Sequence, residues 1–217
     1  MAIKKISEEM GLIIFNNNSY SQNSYIYFNK KYDAVIIDPG LSERELVRSI
    51  IDSYNVKAII LTHGHFDHIF ALEKVKGITQ APVYVYIDEK ELLETPALNM
   101  SASKSEAGKE LFGNADIFVK DADSIKIGDD FDFFVIHTPG HTAGGMCLYD
   151  KQNNILFSGD TLFRESVGRT DLPTGNQRAL IDSISNKLFT LPDSTIVHSG
   201  HGKPTTIIHE KNNNPYV

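Results

Sequence analysis

Cysteine occurs once, at Cys147, in a chain of 217 residues. No intramolecular disulfide is possible, and a reducing, cytoplasmic compartment is the natural setting. Long hydrophobic runs are missing too. The first apolar stretch, Leu12 to Phe15, is too short for a signal-peptide core, and no segment approaches the ~20 apolar residues of a membrane-spanning helix. Basic charge is in the minority, with a formal net charge of −7. That argues against a nucleic-acid partner held by phosphate contacts, while a small anionic substrate bound by one or two local cations stays open. No Pro/Ser linker or low-complexity segment interrupts the chain, so residues 1–217 read as one domain. Hydrophobic residues make up 41% of it, enough for a real core.

Short runs of β-branched and aromatic residues predict strands at 11–15, 23–28 and 34–38, joined by polar turns as an antiparallel meander. Pro39-Gly40 breaks the third. Ser42 and Glu45 have capping-box spacing, and Leu46, Val47, Ile50 and Ile51 share one face of the helix that follows. Residues 57–62 are an almost wholly apolar strand, as expected for one buried on both faces. A helix is expected from Asp67 to Lys76 with Gly77 as its C-cap. Further strands are expected at 82–87, 132–138, 144–150, 154–159 and 194–200, with a helix at 178–188. Residues 95–110 read as a polar surface insertion and 211–217 as a tail. Strands, helix and strands occur twice, which predicts an α/β (α+β) chain folded as an αββα sandwich.

The chemistry gathers at strand ends. "LTHGHFDHI" (61–69) places His63, His65, Asp67 and His68 within six positions directly after an apolar strand. A random match to that spacing in a chain of this composition has odds of roughly one in a thousand. His141, Asp160 and His201 each follow another predicted strand, in a glycine-containing loop. Five imidazoles and two carboxylates suit Zn, Mn or Fe better than Mg or Ca. Seven groups exceed what one catalytic zinc takes. They suit two divalent ions about 3.5–4 Å apart, with Asp160 as the natural bridge. Coordination lowers the pKa of water from 15.7 to about 7, a differential stabilisation of about 12 kcal/mol for hydroxide. Hydrolysis by metal-bound hydroxide is therefore the favoured reaction class. Asp38, in "IIDPG", is a candidate for steadying that site or for capping its own turn. His137, His198 and His209 read as structural, and Cys147 as a small buried hydrophobe.

"THGHFDH" (62–68), "TPGHT" (138–142), "SGDTLF" (158–163) and "SGHG" (199–202) together resemble the metallo-β-lactamase superfamily, in its type II glyoxalase (hydroxyacylglutathione hydrolase) branch. "GDTLFRESVGRTDLPTG" (159–175) is similar to the short bacterial form. The resemblance implies the αββα fold and two divalent ions, zinc first with iron or manganese as alternatives. His63, His65 and His141 would hold one ion, and Asp67, His68 and His201 the other, with Asp160 shared. It also implies a small-molecule thioester substrate such as S-D-lactoylglutathione, with no nucleic acid or membrane partner. Asp67 and Asp160 would serve the catalysis, and Arg169 would bind the thiol portion of the substrate. There are departures. Asp171 stands where a tyrosine is usual, Ser199 where proline often stands, and the 16 residues after His201 leave no room for the helical domain of the longer enzymes. The alternative is an Fe(II)-dependent persulfide dioxygenase, which the chain also resembles through "GRTD" (168–171). That family would use the positions of His63, His141 and Asp160.

Overall fold

The computed structural model describes residues 2–16, 20–40, 43–103, 111 and 113–217. They fall into two compact units, residues 1–85 with 90–118, and residues 86–89 with 119–217.

The first unit is built on a sheet in which β1 (Ala2–Lys5), β2 (Met10–Asn16), β3 (Asn23–Asn29) and β4 (Asp33–Ile37) form an antiparallel meander. Helix α1 (Glu43–Ser53) then crosses to β5 (Asn55–Ile60), which lies parallel to β4. Helices α2 (Phe66–Ile69) and α3 (Leu72–Thr79) cross to β6 (Val83–Tyr86), parallel to β5. Helix α4 (Lys90–Glu94) precedes the edge strand β7 (Ile117–Val119). Parallel pairing explains the near-continuous apolar runs, since Ala34–Ile37 and Ala58–Ile60 are all buried. Leu46, Val47 and Ile50 of α1 and Leu72 and Val75 of α3 pack on Ile36, Ile59 and Leu61. Burying each such side chain contributes about 1.5–3 kcal/mol. Ser42, half of the expected capping box, and the Ile51 side chain lie outside the described residues.

The single helix expected over 67–76 is two. The break falls at Phe70–Ala71, because the Ala71 N–H donates to the Pro39 carbonyl at 2.8 Å instead of continuing the helical ladder. Gly77 is not the cap either. Helix α3 runs through it to Thr79, and Gln80, at φ 54°, ends it by donating its N–H to Lys76 O.

In the second unit β8 (Ser124–Ile127), β9 (Phe131–His137), β10 (Met146–Asp150) and β11 (Ile155–Gly159) are antiparallel neighbours. A hairpin of β12 (Leu162–Phe163) and β13 (Ser166–Val167) follows. Helix α5 (Gln177–Asn186) returns the chain to β14 (Ile196–Ser199), parallel to β11, and β15 (Thr205–Thr206) closes the edge before helix α6 (Ile207–Asn213). Leu180, Ile184 and Ile207 pack on Ile136, Leu156 and Val197. Cys147 lies in the same core, where burial pushes its thiol pKa up to about 11.

Residues 211–217 are not a tail. Thr206 caps α6 by accepting from His209 N. Buried Glu210 accepts from Glu165 N at 2.8 Å, from Asn214 Nδ2 at 2.9 Å and from Thr205 Oγ1. Asn214 is buried and donates to Ser166 O, and Val217 packs on the core. The hydrogen bonds of α6 and Asn214 thus hold the β12–β13 hairpin.

Candidate metal centre

Parallel strands place their C-terminal ends side by side, so the loop after β4 lies beside the loop after β5. From the second loop come His63 and His65, and from α2 come Asp67 and His68; all four are buried. The His63 ring lies 4.9 Å from that of His65 and 4.1 Å from that of His68, centroid to centroid. Asp67 Oδ2 is 3.9 Å from His68 Nε2.

Asp38, at the end of β4, organises this cluster. Its backbone is left-handed at φ 51°, a conformation aspartate tolerates better than most residues. Its carboxylate accepts from Thr62 N at 2.7 Å, from Thr62 Oγ1 at 2.6 Å and from His68 Nδ1 at 2.9 Å. The Thr62 hydroxyl has one proton and donates it to Asp38, so at 3.2 Å from His63 Nδ1 it acts as acceptor. Both rings therefore carry their proton on Nδ1 and present the Nε2 lone pair. This is the arrangement of metal-binding histidines, whose other nitrogen donates to a carboxylate or other acceptor.

The second unit supplies the remaining predicted groups. His141 follows β9, Asp160 follows β11 and His201 follows β14. His141 Nδ1 donates to the Arg169 carbonyl at 2.7 Å, which again leaves the Nε2 lone pair. Asp160 Oδ2 is 3.4 Å from His141 Nε2 and 3.4 Å from His201 Nε2. Two ligands with bonds of about 2.1 Å to one tetrahedral ion stand about 3.4 Å apart. One carboxylate oxygen thus keeps ligand spacing to two imidazoles. Gly168 makes this packing possible, because a Cβ there would lie 1.8 Å from Asp160 O. Ser199 donates to His201 O at 2.7 Å and so steadies the loop that carries His201.

Arg169 serves the cluster through its backbone. Its exposed guanidinium is paired with Asp171, Nε to Oδ1 and Nη2 to Oδ2, both at 2.7 Å. That pairing holds the Asp171 carboxyl at about 2, below the ordinary aspartate range. The other histidines stand elsewhere: His137 stacks on Tyr86, His198 on Phe157, and His209 bonds Glu165.

Sequence reasoning does not single out Thr62, Asn99 or the Arg169 carbonyl. Thr62 was legible in principle, since it precedes the first histidine directly. Asn99 corrects the reading of 95–110 as a surface insertion. It is buried, and its carbonyl accepts from Phe66 N at the start of α2. Residues 104–110 of that stretch lie outside the described residues.

The residues fit a divalent metal. In each unit imidazole is combined with carboxylate, and every ring whose Nδ1 partner is identified offers Nε2. The Metallo-beta-lactamase superfamily pattern matches residues 18–201. The chain belongs to the metallo-β-lactamase superfamily. It is 39% identical to a Streptococcus pyogenes protein named as a probable metallo-hydrolase, over 92% of this chain and 87% of that one. It is 34% identical to the hydroxyacylglutathione hydrolase GloC of Haemophilus influenzae, over 96% and 98%. Among solved structures it resembles the BLEG-1 B3 metallo-β-lactamase, with TM-score 0.88 and 40% identity over 94% of this chain and 98% of that one. It also resembles TTHA1623 in a di-iron-bound form, with TM-score 0.81 and 32% identity over 94% and 100%. The fold is accordingly the metallo-β-lactamase fold, as the motifs implied, and the class is that of the metallo-hydrolases. Among the described residues no helix is long and apolar enough to cross a membrane.

Proposed function

We propose that the chain is a two-metal thioester hydrolase acting on S-D-lactoylglutathione or a close relative. His63, His65 and His141 would hold one ion, Asp67, His68 and His201 the other, and Asp160 both. The observation that carries this reading is the common hydrogen bonding of three rings. Asp38, Thr62 and the Arg169 carbonyl each meet an Nδ1 as acceptor, which leaves the Nε2 lone pair as a ligand. Membership of the superfamily and the hydroxyacylglutathione hydrolase among the relatives support the substrate class. The di-iron-bound relative makes iron a candidate beside zinc and manganese.

When bound, the ions supply the Lewis acidity that makes water nucleophilic near pH 7 and polarises the carbonyl. Asp67, whose carboxylate lies beside His68, takes up the proton that the attacking water loses. Asp160 holds its charge between two imidazoles. The C–O bond forms and the C–S bond breaks. The sulfur, whose thiol has an ordinary pKa near 8.5, leaves as a thiolate without a strong acid's help and takes up the proton that Asp67 gives back. Arg169 would meet an anionic part of the thiol, in competition with Asp171.

The test uses protein loaded with Zn(II), Fe(II) or Mn(II), and follows loss of S-D-lactoylglutathione in the ultraviolet. Rapid loss, abolished in Asp160→Ala, is expected. No loss with two ions demonstrably bound would overturn the thioester reading. Oxygen uptake by the Fe(II) form with glutathione persulfide would establish the dioxygenase alternative instead. The likeness to BLEG-1 favours a second substrate class, β-lactams, which a chromogenic cephalosporin tests on the same preparation.

A further inference from the structure

Glu89 ends a short 3-10 turn, Ile87–Glu89, directly after β6. It is 1% exposed. A buried carboxylate needs hydrogen bonds to offset the water it has lost. One oxygen, Oε1, accepts from Thr142 Oγ1 at 2.6 Å and from Gly144 N at 3.0 Å. Both donors belong to the loop between β9 and β10, and Thr142 is the residue after His141. The short O–H···O contact is of the charge-assisted kind.

The loop fits the turn closely. A Cβ on Gly144 would lie 2.6 Å from Glu89 N, so the contact admits only glycine. Within the loop Thr138 N donates to Gly145 O at 2.8 Å and Gly140 N to Thr142 O at 2.9 Å. These bonds shape the loop, and others anchor it from outside. Before His141, Ser183 Oγ donates to Pro139 O at 2.9 Å and Asn176 N to Gly140 O at 2.7 Å. After it, Ala143 N donates to Thr174 Oγ1 at 3.2 Å, and Glu89 takes Thr142 Oγ1 and Gly144 N. The Arg169 carbonyl sets the rotation of the His141 ring, and Glu89 is the buried charged group among the anchors of the backbone on which the ring is mounted.

We propose that Glu89 is a positioning residue for His141, with Thr142 and Gly144 as its handles. This rests on the reading of His141 as a metal ligand. Glu89 acts through the loop and touches neither metal nor substrate.

The test compares Glu89→Leu, Glu89→Gln and His141→Ala. Metal affinity is read by chelator competition, and the visible spectrum of the Co(II)-substituted protein reports ligand geometry. Glu89→Leu is expected to weaken one equivalent of metal at least tenfold, shift the Co(II) bands and lower kcat with little change in KM. Glu89→Gln keeps a carbonyl oxygen for both donors and is expected to restore most of the affinity. Wild-type affinity and spectrum in Glu89→Leu, with one equivalent lost in His141→Ala, would overturn the role of Glu89. Wild-type affinity in His141→Ala would overturn the metal reading itself. Should Glu89→Leu fail to fold, Thr142→Val removes one handle and is expected to shift affinity and spectrum the same way by a smaller amount. An unchanged Thr142→Val protein would count against the proposal.

Discussion

Asp38 Oδ2 lies 2.9 Å from His68 Nδ1, across 30 residues of chain. The two meet because β4 and β5 are parallel neighbours, and because Asp38 turns left-handed at the strand end. The same carboxylate takes both donors of Thr62. One acidic side chain therefore orients a ring on α2 directly and a ring in the preceding loop through a hydroxyl.

Asp38→Asn tests that relationship. Asparagine also tolerates the left-handed backbone, so the substitution isolates the chemistry. Its NH2 would face donors that now meet an acceptor. Metal affinity is expected to fall about 10–100-fold, as measured by chelator competition. Unchanged affinity would show that His68 does not depend on Asp38 for its tautomer.

Gly77 offers a test remote from any chemistry. It lies inside α3, and a Cβ there meets nothing within 4 Å. Gly77→Ala is expected to stabilise the protein by about 0.5–1 kcal/mol, a rise of roughly 1–4 °C in Tm for a chain of this size. Activity should not change. A lower Tm in calorimetry would contradict the helix through residue 77.

Glu210 joins the C-terminal segment to the β12–β13 hairpin. Glu210→Ala deprives Glu165 N, Asn214 Nδ2 and Thr205 Oγ1 of this acceptor. A loss of about 2–4 kcal/mol is expected from buried donors left without it, together with faster proteolysis in residues 207–217. A resistant, fully stable variant would mean that the segment is held by its apolar contacts alone.

The Arg169–Asp171 pair makes two linked predictions. The Asp171 pKa is depressed by Arg169, so the pair's small contribution is present above the ordinary aspartate pKa and is lost as pH falls towards about 2. Both groups are exposed, and salt screens the effect. An NMR titration of Asp171 should follow that course, with Arg169→Ala returning the pKa to the ordinary range. Asp171→Asn frees the guanidinium. KM for S-D-lactoylglutathione is expected to fall about threefold to tenfold with kcat unchanged, about 0.7–1.4 kcal/mol of binding. An unaltered KM would remove Arg169 from the substrate site.

Much of the fold is legible residue by residue. Val35 to Ile37 and Ala58 to Ile60 announce buried parallel strands because both faces must be apolar. Phe131, Phe133 and Val135 are buried in alternation with exposed Asp132 and Phe134, and β9 shows that period in its letters. Strands β1, β7, β8, β12, β13 and β15 were not legible. They are two to four residues long, and their neighbours in the sheet define them.

By itself the sequence determined which side chains carry the chemistry. Histidine and aspartate directly after apolar strands are a local pattern, and donor type follows from residue type. Tertiary structure alone decided how those donors are held. Ala71 breaks a helix because Pro39 O takes its N–H, His141 shows Nε2 because Arg169 O takes Nδ1–H, and the last residues dock because Glu210 reaches Glu165. Each of these bonds joins residues tens of positions apart. A hydrogen bond between distant residues leaves no periodicity in the chain, so only the folded backbone reveals it.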